Sequence, residues 1–110
     1  MSNEKTNNSE YKHIQKMESI MVMQENLLKQ LEEVLDAFEN SQQDYQELLK
    51  YYYSNQRFLD LEADENNLIP DEIARGVLSE DGIYNLSLDT QNMAIRMMEV
   101  AVKVLKTNIE

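Results

Sequence analysis

The sequence predicts an all-α fold: a small antiparallel helical bundle of three main helices, with short helices in an acidic connector. Three observations predict it. The chain holds two glycines and one proline in 110 residues, against ordinary usage of about 7% and 5%. Sheet proteins need turn residues every few positions, so this scarcity favours helices. Apolar residues recur at steps of three and four in two long segments. Between those segments, residues 51–86 hold the only proline and both glycines, as a connector between helices does.

The totals set the outer limits. A chain of 110 residues is one domain by length and can bury a modest core. Residues 1–9 are polar with no apolar partner and read as a flexible N-terminal arm; residues 10–110 read as a single helical domain. The first ten residues, MSNEKTNNSE, contain no apolar run, so no signal peptide is expected. No stretch approaches the roughly 18–20 apolar residues of a membrane span. The chain has no cysteine, which removes disulfides, thiolate nucleophiles and thiolate metal ligands and fits a reducing compartment. A cytoplasmic location is expected. With 21 acidic and 10 basic residues the net charge is −11. Phosphate backbones and anionic membranes repel such a chain, so direct binding to nucleic acid or membrane is not expected. At 42% hydrophobic with strong periodicity, it is not a disordered acidic tail.

The first helix is expected over residues 10–39. Ile14, Met17, Met21, Gln24, Leu28, Leu31, Leu35 and Phe38 form a heptad stripe with one polar slot. Ile20, Leu27 and Val34 widen it beyond a two-stranded seam, as for packing against two or more helices. At 1.5 Å per residue such a helix is about 45 Å long, so it is either the spine of the fold or part of an oligomer. Asn40 and Ser41 are read as a break, with Ser41 capping a second helix over 42–53 and the chain doubling back. The competing reading is one continuous helix, since Gln42, Tyr45, Leu49 and Tyr52 keep the register.

The connector follows. Ser54 is placed to cap a short helix over 55–63 that buries Phe58 and either Leu61 or Leu59. Glu65, Asn66 and Asn67 read as a turn. Pro70 suits the first turn of a further short helix over 70–75 that stops at Gly76. Ser79, Glu80 and Asp81 begin another turn, with Ile83, Tyr84 and Leu86 supplying apolar contacts. A last helix is expected over about 87–106. Its stripe is Met93, Met97, Val100 and Val104, and Lys103 and Lys106 suit its carboxyl end. Ile95 and Val102 fall outside that stripe and mark a candidate oligomer face.

Chemistry-bearing residues concentrate in the connector. From Asp60 to Asp81 there are eight acids (Asp60, Glu62, Asp64, Glu65, Asp71, Glu72, Glu80 and Asp81) and one base, Arg75. Asp60, Glu62, Asp64 and Asn66 alternate like the early positions of a calcium loop. Glu65, however, stands where the loop needs glycine, and Asp71 where it needs a bidentate glutamate. The competing reading is that acids at helix starts favour the helix dipole. Arg75 is expected to form a bidentate clamp with connector acids. Tyr51, Tyr52 and Tyr53 are expected to split between core and surface, with a hydroxyl bonded to a connector acid. His13 is the only histidine, with no base or nucleophile arrangement around it. No phosphate-cradling glycine loop and no Ser-His-Asp set can be built.

The runs ESIMVMQENL, VLDAFE, LLKYYYS, DLEADE, IPDEI and above all RGVLSEDGIYNL resemble the domain of unknown function 4298 family over roughly residues 14–98. RGVLSED, residues 75–81, is the most specific part. Where that family tends to carry an aromatic residue after YYxS, this chain has Arg57 and Phe58. Where it tends to carry Gly before the LP pair, this chain has Asn66 and Asn67. The resemblance implies a compact helical protein in a bacterial, cytoplasmic setting, and no activity.

The expected function is therefore that of a small non-enzymatic interaction or regulatory protein without a cofactor. Its partner is an unidentified protein, with a homodimer through the first or last helix among the options. One alternative is an acidic decoy that occupies a basic nucleic-acid-binding surface. Another is a carboxylate divalent-metal-binding protein.

Overall fold

The computed structural model describes residues 8–108; residues 1–7, most of the expected arm, lie outside them. Among the described residues every regular element is helical, so the all-α class holds. A 3-10 turn, Asn8–Tyr11, leads into helix α1, Lys12–Tyr52. Helix α2 is Asn55–Glu65. A second 3-10 turn, Gly76–Leu78, precedes helix α3, Gly82–Thr107. The described residues fall into two units, one ending at Gln43 and one beginning at Asp44.

The expected break at Asn40 and Ser41 does not occur, and the chain does not double back there. Ser41 does not act as a cap. Its hydroxyl donates to the Phe38 carbonyl at 2.8 Å, and the Gln42 side-chain amide donates to the same oxygen at 3.3 Å. A serine that bonds back to the preceding turn is satisfied inside a helix. With no proline or glycine from 12 to 52, nothing interrupts the backbone ladder. The expected helices over 10–39 and 42–53 are one element.

In the unit up to Gln43, α1 carries its stripe openly. Ile14, Met17, Met21, Leu28, Leu31, Leu35 and Phe38 are between 36% and 57% exposed. Ile20, Leu27 and Val34 beside them are exposed as well.

In the unit from Asp44, the chain is organised by its turns. Ser54 ends α1 and begins α2 with one hydroxyl: it donates to the Tyr51 carbonyl at 2.7 Å and accepts from the Arg57 backbone N–H at 3.2 Å. Phe58 stays exposed while Leu61 is half-buried, because α2 presents only one face to its neighbours. Asn67, at φ 59°, is the one non-glycine residue with positive φ among those described. Its N–H donates to the Asp64 carbonyl (3.1 Å), and that of Leu68 to the Ala63 carbonyl (2.9 Å). This is a Schellman closure, in which asparagine takes the left-handed position more usual for glycine.

The expected helix over 70–75 is instead a single turn closed by the Ile73 N–H on the Pro70 carbonyl at 3.1 Å. Gly76 therefore stops no helix; it opens the 3-10 turn, which packs against both α2 and α3. Helix α3 begins at Gly82, ahead of the expected start. Ser79 sets this start: its hydroxyl donates to the Gly76 carbonyl at 2.8 Å and accepts the Gly82 N–H at 3.1 Å. Gly82 has to be glycine, since a Cβ there would lie 2.5 Å from Ser79 Oγ and 2.9 Å from the Gly76 carbonyl oxygen. The early start puts Ile83 in the first turn of α3. At 3% exposure it is the single buried side chain among the described residues, in an apolar hollow walled by Leu48, Ala74, Val77 and Leu86.

Candidate functional site

The connector residues singled out from the sequence come together in pairs rather than as one cluster. At the end of α1, the Tyr51 hydroxyl donates to Asp60 Oδ2 of α2 at 2.6 Å, and the Gln56 amide donates to Asp60 Oδ1 at 2.9 Å. These two donors favour the charged form of Asp60 and lower its pKa, the tyrosine bond first. The same bond, helped by desolvation and the neighbouring negative charge, raises the Tyr51 pKa. Tyr52 meets Tyr53 edge to face, with ring centroids 4.9 Å apart and planes at 78°. Tyr51 and Tyr52 are half-buried, while Tyr53 is 83% exposed.

Arg75 reaches Asp64 Oδ1 through one nitrogen, Nη1, at 3.3 Å; the same nitrogen donates to the Ile69 carbonyl at 3.4 Å. The expected bidentate clamp is thus a single-nitrogen contact, because Nη1 is shared with a backbone oxygen. It ties α2 to the segment before the 3-10 turn. Glu65 ends α2, and Glu80 and Asp81 precede α3; all three are exposed. Asp81 occupies the cap position of α3 without a side-chain cap bond. Acids there suit the positive end of the α3 dipole. That account does not reach Asp71 and Glu72, which lie in the turn after Pro70.

The sequence reading missed Arg57. Its Nε donates to the Val77 carbonyl and its Nη2 to the Ser79 carbonyl, both at 3.2 Å, and its guanidinium lies 4.8 Å from the centre of the Tyr52 ring. Arg57, not Arg75, carries the wider linkage, joining the end of α1, the start of α2 and the entry to α3. A signal was available: a cation in the first turn of a helix is unfavourable to the dipole, so a base there needs partners elsewhere.

The calcium-like alternation of Asp60, Glu62 and Asp64 falls on α2, where residues two apart point to nearly opposite sides. Among the described residues no three His, Asp or Glu side chains converge where they could hold a metal ion. A cleft of about 240 Å³ lies beside the pairs, lined by Tyr51, Asp60, Ile73 and Arg75 among others. Its polar side chains are already engaged, Tyr51 with Asp60 and Arg75 with Asp64 and the Ile69 carbonyl.

The most specific run of the sequence, residues 75–81, is the segment that forms the 3-10 turn and the Ser79 bridge into α3. A family model described as "Domain of unknown function (DUF4298)" matches residues 14–100. The chain belongs to the DUF4298 family. No curated protein and no solved structure matches it. The DUF4298 match takes in the α1 stripe, the Tyr51–Asp60 and Arg75–Asp64 pairs, Arg57, and α3 as far as Val100. Ile95, within that span, and Val102 beyond it are both exposed, as are Met93, Val100 and Val104. Of the main stripe of α3 only Met97 is half-buried, so exposure sets the candidate oligomer face apart from that one residue alone. No helix among the described residues is long and apolar enough to cross a membrane.

Proposed function

We propose that this protein is a non-enzymatic interaction or regulatory protein whose apolar helix faces are covered by protein. The observation that carries this reading is the exposed heptad stripe of α1, with every apolar member from Ile14 to Phe38 open to solvent. Soluble proteins that act alone rarely leave a contiguous apolar patch of this extent uncovered. A long amphipathic helix also takes most of its stability from packing of its apolar face. The antiparallel bundle that the sequence pattern asks for is, in this reading, completed between chains. The connector serves as a brace: its polar groups bond to one another and fix where α2 and α3 start. A cytoplasmic setting belongs to the same reading, since a chain without cysteine fits a reducing compartment.

The test is a photo-activated cross-linker placed at position 31 on α1, and separately at position 98 on α3, in cells that make the protein. Cross-links from position 31 to a protein, whether another copy or a different chain, are expected. If irradiation yields no protein adduct from either position, the reading fails.

A further inference from the structure

The α1 stripe is spaced 3, 4, 3, 4, 3, 4, 3, a heptad run that reads the same in both directions and so can pair antiparallel with itself. Ile14, Met17, Met21, Gln24, Leu28, Leu31, Leu35 and Phe38 are placed symmetrically about residue 26. We propose that a second copy of this chain covers the stripe, the two α1 helices running antiparallel about a two-fold axis beside Asn26. This deepens the interaction reading above and rests on it.

Antiparallel pairing then builds consecutive layers of Ile14 with Phe38, Met17 with Leu35, and Met21 with Leu31. The layers closest to the axis pair Gln24 with Leu28. Each outer layer joins one aliphatic or thioether side chain to one larger or branched partner, and the polar residue occurs only beside the axis. One polar position in an apolar seam fixes register at some cost in stability. Self-complementarity of this kind is what a two-fold interface requires.

The edges of the stripe select the orientation. Ile20, Leu27 and Val34 flank it on one side and Glu18, Glu25, Glu32 and Glu39 on the other, while Lys12, Lys16 and Lys29 lie away from it. Antiparallel pairing sets the apolar edge of each copy against the same edge of the other; parallel pairing would set it against the acidic edge. Antiparallel pairing also brings the acidic edges together, Glu25 against Glu25 and Glu18 against Glu32, so the apolar layers must carry the association. They are large enough: ten exposed apolar side chains offer on the order of 800 Å² per copy, about what each partner gives to a stable interface of standard size.

The absence of native cysteine makes a clean test. Separately tagged Met21→Cys and Leu31→Cys full-length chains are mixed and oxidised. The expected product is the mixed disulfide dimer, formed at least tenfold faster than either self-linked dimer. Sedimentation of the unmodified chain should show a dimer whose melting temperature rises with protein concentration, and Leu31→Lys should abolish both effects. Circular dichroism reports whether that variant keeps its helices; if it does not, the disulfide pattern decides alone. Preferential Met21→Cys self-linkage would overturn the antiparallel arrangement. A chain that stays monomeric at all concentrations overturns self-association altogether. In that last case, cross-links from position 31 to a different protein would leave the interaction reading standing.

Discussion

Tyr51 and Asp60 show how a single bond sets two opposite pH responses. Asp60 has a lowered pKa in the folded chain, through its bonds from Tyr51 and Gln56. Its contribution is complete above the ordinary carboxylate range and is lost as pH falls through the lowered value. Tyr51 has a raised pKa. Its contribution is complete below the ordinary phenol range and is lost as pH rises through the raised value. Tyr51→Phe should therefore remove the alkaline loss and weaken the acid one, seen as a flatter plot of melting temperature against pH at both ends. An unchanged alkaline limb in that variant would show that the bond does not form in solution. Gly82 is decided by space rather than by backbone freedom, since no glycine here has positive φ. Gly82→Ala should cost about 1–3 kcal/mol, because the added carbon meets a backbone carbonyl that cannot move freely. Gly76→Ala meets nothing within 4 Å and should be neutral or gain up to about 1 kcal/mol. Denaturant melts of the two variants give the comparison directly.

Between elements, the connections rest on two arginines of unequal reach. Arg57 ties α2 to the 3-10 turn and the entry to α3 through two backbone carbonyls, with Tyr52 beneath its guanidinium. Arg75 makes one ion pair, with both side chains about a third exposed. Partly exposed pairs of that kind contribute about 0–1 kcal/mol, whereas bonds from a charged group to fixed acceptors contribute about 1.5–3 kcal/mol before solvent screening. Arg57→Ala should accordingly cost about 1–2 kcal/mol and Arg75→Ala less than about 1 kcal/mol. Arg57→Lys should not restore the loss, since an ammonium cannot reproduce the fork. Chemical denaturation of the three variants checks the order; a larger loss for Arg75→Ala would reverse the assignment. The helical character of α1, α2 and α3 was legible at this scale, but the split of α1 at residues 40 and 41 and a helix over 70–75 were misplaced. Ser54 as a cap and the turn at residues 65–67 could be placed from residue type. The start of α3 could not. The residues from Ser79 read as a separate turn before a helix at about 87, and only the Gly82 N–H on Ser79 Oγ joins that turn directly to the helix.

For the whole molecule, the pattern of apolar residues specifies surfaces that want partners without specifying whose surfaces those are. A stripe at steps of three and four reads identically whether the covering helix belongs to the same chain or another. That is why the sequence suggested a bundle closed within the chain, while the stripe of α1 lies exposed. The expected turn-back at residues 40 and 41 failed for a related reason. Ser41 can cap a new helix or bond back into the old one, and local sequence does not choose between them.

By itself, then, the sequence determined the all-α class, the amphipathic faces, the family and the acidic character of the connector. Each of these follows from local spacing or from composition. Only the tertiary structure decided that α1 is continuous, that Arg57 rather than Arg75 spans the connector, that Tyr51 bonds Asp60, and that Ile83 is the buried anchor. The first turns on whether Ser41 bonds back into its own helix. The others depend on which atoms farther apart in sequence come within hydrogen-bond reach or van der Waals contact, and periodicity carries no record of that.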